Sequence, residues 1–248
     1  MRKAIIVAIL LAVIVLTFSN VILRLLANGA EDNFFNQKYR EKFASYPLFR
    51  KSIGLHFDGD AKKDYLGTRY KKIVVEVDEM EGLSVSFEAL DIFSQKIRQA
   101  TGKEVQIVRS DKVPFDDDVT DAEISEIVKK YRNVNFIANS AYIYFLYLSE
   151  FDDNIDHLGS TYQENGILLF DFALRNFTSN SPKTLDNYVE STALHEFGHQ
   201  IGLGHNQQPG CLMNEQLEQA YRFSERPVDV ITDFCEYEKQ LIQVISKK

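Results

Sequence analysis

The segment His195-Glu196-Phe197-Gly198-His199-Gln200-Ile201-Gly202-Leu203-Gly204-His205 holds three of the chain's five histidines. In an α-helix, His195 and His199 lie one turn apart on the same face, so their imidazoles can bind one small cation. A continuing helix would carry His205 about 60° around the axis from His199. Gly202 can adopt the positive φ that ends a helix, and the chain can then turn to bring His205 to the same cation. The segment therefore predicts a helix, a turn and a three-histidine metal site.

The residue types in this segment indicate which metal and which chemistry to expect. Three neutral imidazoles suit zinc, and three protein ligands leave a fourth position open for water. Zinc lowers the pKa of that water and polarises a carbonyl, while Glu196 can accept the proton. A bare His-Glu-x-x-His match can arise by chance, but Gly202 and His205 at the required spacing make coincidence much rarer. The segment predicts peptide-bond hydrolysis with zinc as the cofactor and Glu196 as the catalytic base.

The whole segment resembles the signature of the metzincin clan of zinc peptidases. The resemblance implies that His195, His199 and His205 are the zinc ligands, Glu196 the general base and Gly202 the turn residue. Met213, eight residues after His205, looks like the methionine of the Met-turn that lies beneath the metal in that clan. The implied fold is an α+β metzincin-like zincin domain, with a twisted mixed β-sheet, a packed helix, an active-site helix and a small C-terminal subdomain that ends in a helix.

Two subfamilies share features with this chain. Archaemetzincins have the pattern His-Cys-x4-Cys-x-Met followed by Cys-x-x-Cys, and those four cysteines hold a second zinc. This chain has Asn206 in place of the first cysteine and keeps only Cys235 of the last pair, so a second zinc site is not expected. The run His-Glu-Phe-Gly-His also looks like matrixins, and the subfamily stays open between the two.

The N-terminal third of the chain predicts two segments before the catalytic domain. Residues 1–29 begin with Arg2 and Lys3 and continue as an apolar run, which is typical of a signal peptide that is cleaved or of a transmembrane signal anchor. Either fate places the catalytic domain outside the cytoplasm, secreted or membrane-anchored, with the N-terminal helix as the membrane contact. Residues 30–70 are polar and predict a stalk or lead-in segment, and residues 71–248 predict the catalytic domain.

Periodicity within residues 71–248 predicts the elements of the sheet. The β-branched run 72–77 predicts a strand, the stripe of Phe87, Leu90, Phe93 and Ile97 predicts an amphipathic helix, and 105–108 predicts a second strand. Together they predict a βαβ unit. Residues 158–163 are expected to form an antiparallel edge strand beside the cleft, by the order of elements that the resemblance implies. A last helix is expected to bury Val230, Phe234, Tyr237, Leu241 and Val244.

The two cysteines and the net charge set further expectations. In an oxidising compartment Cys211 and Cys235 could form a disulfide, and the alternative is a pair of buried free thiols. The formal charge of −8 argues against a nucleic acid partner. The resemblance to metzincins implies protein or peptide substrates, with a specificity pocket built by residues 214–227.

The sequence leaves two other functions open. The chain could be a catalytically silent, zinc-containing binding module at the cell surface, or a zinc hydrolase of a non-peptide amide. Retention of Glu196 disfavours the silent module, because a silent relative would be expected to have lost its base. Substrate profiling distinguishes the two kinds of hydrolase.

Overall fold

The computed structural model describes residues 2–27, 34–39, 43, 46–53, 61–132, 140–151, 158–179, 184–214 and 230–246. The chain divides into two compact units, 1–60 and 61–248. The first unit contains helices α1 (Arg2–Ala27), α2 (Phe34–Lys38) and α3 (Pro47–Ile53). The second contains the histidine segment and all the described strands.

The first unit has a small apolar cluster of Ala27, Phe35 and Ile53. Polar groups of α1 also reach α3, because the Asn20 amide donates to the Ser52 hydroxyl at 2.6 Å and Arg24 Nε donates to the Ser52 carbonyl at 2.8 Å. Across the described parts of the chain, no helix combines the length and the apolar character that a bilayer crossing requires. The expectation of a membrane-spanning N-terminal helix is therefore not supported.

The described strands of the second unit form one five-stranded mixed sheet in the order β2-β1-β3-β5-β4. They are β1 (Lys72–Met80), β2 (Glu104–Val113), β3 (Ser140–Leu148), β4 (Gly159–Tyr162) and β5 (Gly166–Phe170). β1 runs parallel to β2 and β3, β3 runs parallel to β5, and β4 pairs antiparallel with β5. With helix α5 (Phe87–Thr101) between β1 and β2, the predicted βαβ unit is confirmed. The predicted edge strand is confirmed as β4.

The sheet is covered on both faces, which explains the continuous apolar run of β3. All nine residues of β3 are buried, as expected for a parallel strand with helices on both sides. One face packs on Phe93 of α5 and on the histidine-bearing helix. The other packs on Ile124 and Val128 of α6 (Asp121–Tyr131), which begins with the predicted capping box at Thr120.

The second unit starts earlier than the predicted boundary at residue 71. A short helix, α4 (Ala61–Leu66), carries Tyr65, whose ring stacks on Phe197 with 5.7 Å between centroids. The Tyr65 hydroxyl donates to the Tyr142 carbonyl at 2.7 Å. Residues 61–70 therefore belong with the sheet. A single aromatic residue on a short polar helix gives no periodic signal from which the sequence could have shown this.

The described part of the unit has three more helices: α7 (Asp171–Ser179), α8 (Leu185–Gln200) and α9 (Glu236–Ser246). The predicted apolar stripe of the last helix is wrong in part. Val230 and Phe234 are buried but precede α9, while Tyr237 and Val244 are exposed. The inward face of α9 instead carries Glu238 and Ile242. Leu241 and Ile245 pack against the core beside them.

Candidate active site

Helix α8 places the first two histidines and then ends as the sequence predicts. It begins at a capping box between Thr184 and Asn187. At its other end Gly202 has a φ of +91°. The amide of Leu203 donates to the carbonyl of Gly198 at 2.9 Å, and the amide of Gly202 donates to the carbonyl of His199 at 2.9 Å. This pair of bonds is a Schellman motif, which reverses the chain after the helix.

The turn brings the three histidines together. The Nε2 atom of His195 lies 3.1 Å from that of His199 and 3.2 Å from that of His205, and the remaining pair is 3.1 Å apart. A tetrahedral zinc ion with Zn–N bonds of about 2.0–2.1 Å holds its ligands about 3.3 Å apart. The observed triangle therefore fits the donor set and the spacing of a zinc site.

Hydrogen bonds at the opposite ring nitrogens support the same assignment. His195 Nδ1 lies 3.0 Å from the Leu212 carbonyl, and His199 Nδ1 lies 3.1 Å from the Leu203 carbonyl. A carbonyl oxygen can only accept, so each Nδ1 must carry the proton. The Nε2 lone pairs of both rings are then directed at the common point, as a metal ligand requires.

Glu196 is buried, with 6% of its surface exposed, and its carboxylate has a specific partner. The Thr161 hydroxyl donates to Glu196 Oε2 at 2.7 Å, and Thr161 lies on the edge strand β4. The sequence predicted this edge strand beside the cleft but did not identify Thr161 as a site residue. Its contact depends on the sheet order, which no local pattern in the sequence specifies.

Met213 lies directly against the histidine-bearing helix. Its side chain is completely buried. A Cβ atom added at Gly198 would lie 2.5 Å from Met213 Sδ and 3.3 Å from Phe234 Cε1. Gly198 stands between His195 and His199 in the helix, so Met213 fills the space next to the ligand-bearing turn. This is the placement expected of the Met-turn.

The comparison with protein families agrees with this geometry. The model of the family described as Matrixin matches residues 134–232, which include the three histidines and Met213. The site is that of a zinc metallopeptidase, and the matched segment resembles the metzincin clan. No curated protein matches this chain over its sequence.

The fold is similar to that of a solved structure, the archaemetzincin of Methanopyrus kandleri, with a TM-score of 0.50 and 17% identity, over 73% of this chain and 98% of that chain. The archaemetzincin of Archaeoglobus fulgidus, complexed with malonate, has a TM-score of 0.40 and 17% identity, over 68% and 98% of the two chains. A zinc-dependent peptidase of Methanocorpusculum labreanum has a TM-score of 0.41 and 13% identity, over 68% and 99%.

This chain keeps two of the four cysteines of the archaemetzincin pattern, and a covalent bond joins them. Cys211 and Cys235 form a disulfide, which confirms the first of the two possibilities that the sequence allowed. Glu238 lies within 4.8 Å of both sulfur atoms. Sulfurs in a disulfide are not thiolate ligands, so this cluster does not provide the donors of a second zinc site.

The pKa of one further carboxyl group on α8, that of Glu190, is raised. Burial raises the pKa of Glu190 to about 7, and the charges of Asp186 and Glu88 act in the same direction, whereas Lys96 opposes them. Glu190 precedes His195 by five residues and is buried. It therefore provides a comparison for Glu196 on the same helix.

The predicted substrate pocket, residues 214–227, lies outside the described residues except for Asn214.

Proposed function

We propose that this chain is an endopeptidase in which His195, His199 and His205 bind zinc and Glu196 is the general base. The observation that carries the proposal is the convergence of the three Nε2 atoms within 3.1–3.2 Å of one another. Glu196, adjacent to the first of these histidines, has a buried carboxylate that is oriented by Thr161. This arrangement supports hydrolysis and argues against a silent binding module, which has no use for an oriented base.

The residues of the site have separate roles in the proposed reaction. Bound zinc would polarise the scissile carbonyl and lower the pKa of a water molecule. Glu196 accepts a proton from the attacking water and delivers it to the leaving amine nitrogen, so that one carboxylate acts as base and then as acid. Thr161 donates to Oε2 and fixes the orientation of the carboxylate for both transfers.

The edge strand favours an extended polypeptide as the substrate. β4 is the last strand in the described sheet order and is paired through β5 on one side only. An extended peptide can add to such an edge through main-chain hydrogen bonds. Thr161 links this strand to Glu196, so a peptide bound along β4 would pass close to the proposed base. A small non-peptide amide would not use these main-chain contacts.

Substitution of the base tests the mechanism. Glu196→Gln should keep a full complement of zinc but lower turnover of a peptide library by at least about two orders of magnitude, because only proton transfer is lost. Glu190→Gln is the matched control: the same change at a buried position of the same helix, with turnover per bound zinc expected to stay at the wild-type level. Cleavage by the Glu196→Gln protein at the wild-type rate would refute the assigned base. Cleavage of N-acyl amides but not of peptides would refute the endopeptidase assignment.

Metal analysis tests the ligands independently of turnover. Purified His195→Ala, His199→Ala and His205→Ala proteins should each retain less zinc than the wild type after dialysis against a weak chelator. Gly204→Ala is the control, because a Cβ atom there meets nothing within 4 Å. Full zinc content in any one of the three histidine variants would remove that residue from the proposed ligand set.

The disulfide supports a location outside the cytoplasm. Disulfides persist in oxidising compartments and are rare in reducing ones. Together with the basic and apolar start of the chain, the Cys211–Cys235 bond favours export. Expression of a C-terminally tagged chain, followed by thiol labelling and fractionation, tests this. Labelling of both cysteines in freshly lysed cells would contradict the proposed location, and the fraction that holds the tag shows whether the exported protein is retained or released.

A further inference from the structure

Glu238 is a fully buried carboxylate surrounded by hydrogen-bond donors. Its Oε1 accepts from the Met213 amide at 2.7 Å and from the Asn206 side-chain amide at 3.0 Å. Its Oε2 accepts from the Leu212 amide at 3.1 Å and from the Cys235 amide at 3.0 Å. A carboxylate offers about four lone-pair sites, and here four donors occupy them. The buried charge is thus stabilised entirely by groups of the protein.

These four donors connect Glu238 to two of the proposed zinc ligands. Leu212, whose amide donates to Glu238, also provides the carbonyl that accepts from His195 Nδ1 at 3.0 Å. Asn206 directly follows His205, and the backbone amide of Asn206 donates to the Met213 carbonyl at 2.8 Å. One carboxylate therefore holds the segment that orients His195 and the residue next to His205.

The position of Glu238 in its own helix adds a stabilising contact. It is the third residue of α9, and its acceptance from the Cys235 amide satisfies a donor at the helix N-terminus. The positive end of the helix dipole adds to this stabilisation. The Cys211–Cys235 disulfide joins the same two segments, but a single covalent link does not fix the direction of the Leu212 carbonyl.

We propose that Glu238 is a positioning residue of the zinc site, which fixes the Met-turn and thereby the orientation of His195 without touching the metal. The inference depends on the proposed role of His195 as a ligand. Glu238→Gln keeps the size of the side chain but places an NH2 group against two of the N–H donors. The Leu212 carbonyl then loses its fixed position. Loss of partners that orient a metal ligand typically weakens metal binding by about 10–100-fold.

The test compares Glu238→Gln with Glu79→Gln in the full-length chain. Glu79 is also buried, and it accepts from the Val85 amide, Arg109 and Lys112, all remote in sequence from the histidine segment. Both substitutions should lower the melting temperature. Only Glu238→Gln should raise the zinc dissociation constant by about tenfold or more, measured by competition with a chromophoric chelator. It should also shift the visible absorption bands of the Co²⁺-substituted protein, which report ligand geometry.

The outcomes separate this inference from the proposed function. Wild-type zinc affinity and an unchanged Co²⁺ spectrum in Glu238→Gln would overturn the positioning role, as would an equal loss of affinity in Glu79→Gln. Wild-type zinc content in His195→Ala would instead refute the ligand set. If Glu238→Gln does not fold, Asn206→Ala removes one of the four donors to Glu238, together with the acceptor of the Gln208 amide, and should give a smaller loss of zinc affinity with a spectral shift. Unchanged affinity in that variant would also overturn the inference.

Discussion

Gly198 of the histidine-bearing helix leaves no room for a side chain beside Met213 of the Met-turn, and Gly198→Ala tests the importance of this close approach. The added Cβ atom would lie 2.5 Å from Met213 Sδ, whereas carbon and sulfur atoms pack best at roughly 3.5–4.0 Å. The sulfur must therefore move by about 1 Å, and Met213 is completely buried with Phe234 on the other side. Helix propensity favours alanine by about 1 kcal/mol. Overpacking of a core typically costs about 1–3 kcal/mol. We expect a net loss of up to about 2 kcal/mol.

A double-mutant cycle identifies the source of that loss. Met213→Ala alone should cost about 2–5 kcal/mol, because it leaves a cavity next to α8. In the Gly198→Ala, Met213→Ala protein the added methyl group has room, so the clash disappears and the gain in helix propensity remains. The two changes should then be non-additive by at least about 1 kcal/mol, in the favourable direction.

Urea unfolding followed by far-ultraviolet circular dichroism, in zinc-free buffer, measures the four proteins of the cycle without a contribution from metal binding. Gly204→Ala is the control, because a Cβ atom there meets nothing within 4 Å, and its free energy of unfolding should stay close to that of the wild type. Additive free energies, or a Gly198→Ala protein more stable than the wild type, would show that Met213 does not press on the helix.

Three further predictions concern Gly202, Thr161 and Glu190. Gly202→Ala and Gly102→Ala both place a side chain at positive φ and should each lose about 1–2 kcal/mol of stability. Only Gly202→Ala should also weaken zinc binding in a chelator competition, because Gly202 alone lies in the turn that leads to His205. Equal zinc affinity in the two variants would contradict the role of the turn. Thr161→Val removes the hydroxyl that donates to Glu196 and should lower kcat about tenfold at full zinc content. Thr161→Ser keeps the hydroxyl and should restore kcat. A change in KM alone would mean that Thr161 does not act through Glu196. Glu190 has a folded-state pKa of about 7, above its usual 4.5, so its contribution to stability is complete below pH 4.5 and is lost as the pH rises through 7. Glu190→Gln should therefore gain stability relative to the wild type across that range, by roughly 3 kcal/mol at most, and parallel stability–pH curves would refute the raised pKa.

The sequence was informative where a feature depends on near neighbours in the chain. The helix through His195 and His199, the positive φ of Gly202 and the capping box at Thr120 each follow from residues within a few positions of one another, and the structure has all three. The βαβ unit followed from two periodicities, and the parallel pairing of β1 and β2 agrees with it.

The sequence was not informative where a feature depends on the sheet order or on distant segments. Thr161 reaches Glu196 only because β4 lies beyond β5 at the edge next to α8. Glu238 resembles a solvated helix residue until its donors are supplied from positions 206, 212 and 213. Tyr237 and Val244 are exposed, against the predicted apolar stripe. The inward face of α9 instead combines Glu238 with Leu241, Ile242 and Ile245, which pack against the core.

The disulfide has a practical consequence for anyone who prepares this protein. Cys211 and Cys235 are 24 residues apart, and closing a loop of that length removes unfolded-state entropy worth about 3 kcal/mol at room temperature. Protein made in a reducing cytoplasm, or kept in a thiol reductant, lacks that contribution, and its Met-turn is held by packing and hydrogen bonds without the covalent link. Zinc affinities measured on reduced and oxidised preparations therefore describe two different molecules, and a free-thiol titration should accompany each measurement.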